Sequence, residues 1–93
     1  MRVLITGGRD FHFPKIIFKI LNVVHRSSPI SCIITGQARG VDIICEAWAV
    51  DYGVEIETYP VTNEEWKRIG PSAGIKRNVK MLNNSNPDYA IIF

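Results

Sequence analysis

Cysteine and histidine are scarce in this 93-residue chain, at two each, and no apolar run approaches the length of a bilayer span. Each shortage excludes something. Cys32 and Cys45 have no Cys or His neighbours at ligand spacing, so no zinc site and no other metal site is assigned. Cys32 falls in an apolar strand and Cys45 on the apolar side of a helix, where buried free thiols are ordinary. That usage fits a reducing cytoplasm, and the apolar start halts at glycines too early for a secretory leader. Charge of one sign is also lacking: the net charge is +2 and the basic residues form no run. Nucleic acid is therefore disfavoured as a partner, and a membrane is excluded. His12 and His25 stand without triad partners, no Ser-His-Asp or Cys-His set appears, and no carboxylate pair is placed for acid–base work. No catalytic residue is assigned.

What is present is regular alternation. Arg2 to Thr6 reads as a buried strand. Pro14 to about His25 carries Ile17, Ile20, Leu21 and Val24 on one helical stripe, and Ser27-Ser28-Pro29 ends it. Ser31 to Thr35 is a second strand. Val41, Ile44, Cys45 and Trp48 mark a second helix that closes near Gly53, and Val54 to Tyr59 is a third strand cut off by Pro60. Val61 to Gly70 reads as a polar loop around Trp66. Gly70-Pro71-Ser72 starts a third helix with Ile75, Val79 and Leu82 as its apolar stripe. Asn83 to Pro87 is the turn and Asp88 to Phe93 a fourth strand.

This order gives the fold class. It predicts one α/β domain over residues 1–93, a Rossmann-like three-layer sandwich with a parallel sheet of about four strands in the order 3-2-1-4 and helices on both faces. A chain of this size hides only about 60% of its unfolded surface. Two helices would cover one face and the third alone the other, leaving part of that second face or the fourth strand's edge exposed. Ile43, Ala47 and Val50 form a second stripe on the second helix that either lies against the first helix or adds surplus apolar surface. A homodimer or higher oligomer is the expected remedy.

Ligands of open parallel sheets bind beyond the carboxyl ends of the strands, where strand order reverses. The loops there are Gly7-Gly8-Arg9-Asp10 and Gly36-Gln37-Ala38-Arg39-Gly40-Val41-Asp42. Glycine lets backbone N–H groups approach a phosphate, although a tight strand-to-helix turn needs the same glycines. Neither loop is a G-x-G-x-x-G or a P-loop, so a conventional dinucleotide or ATP site is disfavoured. Arg39, flanked by Gly36 and Gly40, suits a phosphate or carboxylate. Asp42 needs no ligand to explain it, because an acid in a helix's first turn is stabilising. Trp66 either stacks on a base or pins its loop to the core. Asn78 flanks the third helix's apolar stripe and Arg77 lies nearly opposite, so a regular helix presents one of them to the crevice more easily than both.

Taken in order, Arg2 to Phe11, Thr35 to Asp42 with Trp48-Ala49, then Trp66, Gly70, Ala73-Gly74, Arg77-Asn78 and Met81 resemble the YspA/YpsA-related SLOG family. These are Rossmann-like domains of bacteria and phages, akin to the LOG phosphoribohydrolases and the DNA-processing protein DprA. The resemblance spans nearly the whole chain. It implies binding of a nucleotide or an ADP-ribose-like derivative, as sensor or sequestering module, in the cytoplasm of a bacterium or of a phage-infected host. It implies no resident cofactor. Its site would comprise Gly7, Gly8, Arg9 and Asp10, then Gly36, Ala38, Arg39, Gly40 and Asp42, with Trp66, Arg77 and Asn78 reaching in. Relatives continue past the fourth strand with a Gly-Gly-x-Gly-Thr loop, a helix and a fifth strand. In the hydrolase branch that loop holds phosphate and a catalytic Glu follows it. None of these follows Phe93, so the chain reads as truncated, or its pocket as completed by another subunit. Binding then ranks above nucleoside monophosphate hydrolysis, and both rank above single-stranded DNA binding or a purely structural dimer.

Overall fold

Strand β1 (Arg2–Thr6) lies inside the sheet, pairing in parallel with β2 (Cys32–Thr35) on one side and β4 (Tyr89–Ile92) on the other. Strand β3 (Glu55–Thr58) joins β2, giving the order β3-β2-β1-β4 of a Rossmann-like α/β sandwich. The computed structural model describes residues 1–93. Val3, Leu4 and Ile5 are buried, as is all of β2, which is what unbroken apolar runs signify when both faces of a sheet are covered. Alternation along β1 sorts the two faces. Val3 and Ile5 point toward helices α1 (Pro14–Ser27) and α2 (Val41–Asp51), while Leu4 points the other way.

On the α1/α2 face Ile17 and Leu21 meet Ile33, Val41, Cys45 and Trp48 in one ten-residue core. Trp48 is fully buried, and its indole N–H donates to Asn22 Oδ1 at 2.9 Å. His25 lies edge-on to that ring and accepts from the Ile30 N–H, so it serves the core. Both cysteines are free and buried, and burial pushes the Cys45 thiol up to about 12, out of reach of thiolate chemistry.

The opposite face departs from the sequence reading in three ways. Residues 61–70 are not a loop throughout: Asn63–Ile69 is a short helix, α3. Thr62 caps it, its hydroxyl accepting from the Glu65 N–H and donating to the Glu65 carboxylate, both at 3.1 Å. Gly70, at φ +62°, ends it before α4 (Ser72–Ser85) begins. Helix α4 also runs through Asn83 and Asn84, and only Asn86 turns, taking the left-handed conformation at φ +47°.

The third difference is the register of α4. Its inward row is Ala73, Arg77, Met81 and Ser85, one residue every four, with Met81 filling the space against Leu4, Cys32 and Ile34. The expected stripe faces outward instead: Ile75 is 68% exposed, Val79 54% and Leu82 57%. Polar ties decide this. Arg77 donates to the carbonyls of Gly36 and Tyr59, and Arg2 Nε donates to the Ser85 carbonyl at 2.9 Å. Beneath α4, Arg2 Nη2 also grips both oxygens of Glu57 at 3.0 Å, and Tyr59 OH donates to the same carboxylate. As the element order requires, this face has thin cover, and Ile92 on edge strand β4 is 78% exposed.

Candidate functional site

The loops after β1, β2 and β3 enclose a cavity of about 300 Å³, which α4 closes from the side with Arg77. It sits away from the β1/β4 switch point, because the loop after β1 leans toward the loop after β2. Gly40 explains the lean: at φ +86°, a Cβ there would fall 2.6 Å from the Arg9 carbonyl oxygen and 2.7 Å from that of Gly8. Only glycine lets these two loops meet backbone to backbone.

Six of the residues expected from sequence line this cavity: Arg9, Gly36, Ala38, Arg39, Trp66 and Arg77. The Arg9 guanidinium lies over the Trp66 ring, 5.5 Å from its centroid, a cation–π contact that joins the first loop to α3. Arg39 is three-quarters exposed, with only Asp10 near it at 3.9 Å. Arg77 is fixed rather than free. Besides its two carbonyl partners, its Nε donates to Asn78 Oδ1 at 2.8 Å. Gly36 makes room for it, since a side chain there would collide with the guanidinium.

The other expected residues fall outside the cavity and do different work. Gly7 is packed under Val41, whose Cγ2 would lie 2.7 Å from a Cβ at that position, so it serves the strand-to-helix turn. Gly8 and Gly40 shape the loop contact described above. Asp10 is exposed beside Arg39, and Asn78 orients Arg77 from the solvent side. Asp42 accepts from the Ala38 N–H at 3.1 Å and so sets the curve of the second loop from within. Sequence reasoning missed Gln37, Pro60, Val61 and Asn63 in the lining. The last three came with α3, which the Thr62-x-x-Glu65 capping box announces. Gln37 takes φ +56° in the second loop, and its side chain hydrogen-bonds the Glu46 carboxyl beneath it.

A carboxylate pair does exist, though beneath the second loop rather than in the cavity. Asp42 and Glu46 stand one helical turn apart on α2, and burial pushes both carboxyls above their ordinary values. The Ala38 N–H and the Arg77 charge hold Asp42 back, whereas Asp42 raises Glu46 further. Neither lines the cavity, so its walls carry three arginines and no carboxylate. A larger groove, about 530 Å³, runs along α1, but that helix alone lines it and nothing faces it across the gap.

The chain's first 67 residues match the model of a family described as the YspA, cpYpsA-related SLOG family. The chain is also similar to the "Gene 61 protein" of Mycobacterium phage D29, 36% identical over 97 aligned positions that span 99% of this chain and 75% of the phage protein. No solved structure matches it.

Proposed function

Because this chain belongs to the YspA, cpYpsA-related SLOG family, we propose that it binds a nucleotide or a nucleotide-derived small molecule of ADP-ribose-like character, as a sensor or sequestering module. The observation that carries this reading is the cavity's charge: three guanidinium groups and an indole with no acid among them. Guanidinium forks match phosphate oxygens in geometry as well as sign. The ring of Trp66, now covered by Arg9, offers a flat face for a base.

Each arginine has its own part. Arg77 is rigid and gives the phosphate a fixed anchor. Arg39, three-quarters exposed, closes on the ligand from the rim, and Arg9 trades the indole for an anionic group when a base displaces it. Isothermal calorimetry with nucleoside mono- and diphosphates and ADP-ribose tests this. Binding to at least one of them is expected, and Arg39→Ala should weaken it by about 1.5–3 kcal/mol, roughly tenfold or more in Kd. No heat with any of them overturns the reading.

A further inference from the structure

The guanidinium of Arg77 is a wall with two sides. Beyond it lies a second cavity of about 350 Å³ that shares Arg77 and Pro60 with the first and adds Tyr59, Glu65, Lys76 and Lys80. Lys76 and Lys80 stand four residues apart on α4, one turn of like charge that is unfavourable without an anion between them. Neither enters an ion pair, although Glu65 lies in the same cavity. Glu65 is held to its own helix cap by the Thr62 hydroxyl at 3.1 Å. Three cations therefore face one engaged carboxylate, in a hollow contiguous with the binding site.

We propose that this second hollow is an anion subsite, so that the ligand carries two separated phosphate groups, one on each side of Arg77, as a dinucleotide does and a mononucleotide does not. The proposal rests on the nucleotide reading above. The two hollows meet at Arg77, whose carbonyl ties keep it from swinging toward either one. A phosphate on the Lys76/Lys80 side gains two point charges, and Pro60, shared by both hollows, lies beside Arg77 on the path between them.

The test uses the whole chain with the four ribonucleoside 5′-monophosphates and the four 5′-phosphorylated homodinucleotides, measured by calorimetry on wild type and Lys76→Ala/Lys80→Ala. For at least one base the dinucleotide should bind tenfold or more tightly than the monophosphate. The double variant should bring it down to the monophosphate level and leave the monophosphate's own affinity unchanged. Lys76→Arg/Lys80→Arg should keep the advantage. If dinucleotide and monophosphate bind alike, or the double variant weakens both equally, the second subsite is overturned while the nucleotide reading stands. If none of the eight binds, the second subsite is overturned, and the nucleotide reading falls with it only when the nucleoside diphosphates and ADP-ribose also give no heat.

Discussion

The two faces of the sheet are built on different principles. Under α1 and α2, apolar side chains close a ten-residue core around Trp48, with polar groups at the Asn22 and His25 hydrogen bonds and, at the N-terminal end of α2, Thr35, Asp42 and Glu46. Under α4 the apolar cluster is four residues, and the cover is held largely by arginines: Arg2 on Glu57 and Ser85, Arg77 on Gly36 and Tyr59. Hydrophobic burial is roughly proportional to area and indifferent to direction, whereas hydrogen bonds to charged groups are directional. The first face therefore supplies stability, and the second supplies position. The candidate site lies where position matters, with Arg77 belonging to both the packing of α4 and the cavity wall.

The strongest way to break that comparison is truncation on each face. Trp48→Ala should cost about 3–5 kcal/mol in urea unfolding and Met81→Ala about 2–3 kcal/mol, the ordinary scale for emptied core positions. The contrast fails if Met81→Ala costs as much as Trp48→Ala. A smaller effect, and one of sign, comes from pH. Arg2 holds the Glu57 carboxyl below its ordinary value of 4.5, so its contribution is present above pH 4.5 and is lost as pH falls through the lowered folded value. Asp42 and Glu46 run the other way. Their folded values lie above 3.8 and 4.5 respectively, so they favour the fold below those values and lose that effect as pH rises through the raised ones. The stability difference between wild type and Glu57→Gln, followed by chemical denaturation, should shrink below pH 4.5. If the difference is flat across that window, Arg2–Glu57 does not hold the second face. The smallest expected effect sharpens the register of α4. Val79→Ser should change stability by no more than about 0.5 kcal/mol, the range for surface positions. A cost near that of Met81→Ala would turn the helix around.

Much of this architecture can be read from the residues. Four strands, their parallel order, and the helices α1, α2 and α4 between them follow from hydrophobic runs punctuated by Gly7, Gly36, Gly53 and Pro60. Helix α3 was equally legible through Thr62 and Glu65, but a run of polar residues around Trp66 disguised it as a loop. The face of α4 was not legible. Periodicity ranks side chains by apolarity, and here Ile75, Val79 and Leu82 lose to Arg77 and Met81, whose partners, the Gly36 carbonyl and the side chains of Leu4, Cys32 and Ile34, lie far away in sequence. The site divides in the same manner. Arg39, Arg77 and Trp66 could be chosen by chemistry. That Gly7 and Gly40 serve loop packing, and Asp42 loop curvature, depends on which backbones meet, and no local pattern encodes that.

Arg77 is hydrogen-bonded to the ends of β2 and β3 while being carried by α4, so it fastens three segments that the chain connects only through long detours. A crossbar of this kind transmits load. Without it, α4 would be tied to the sheet by Met81 and the Arg2–Ser85 contact. The thin face thus depends on one cross-link between its helix and two strand ends, where the thick face has a continuous core.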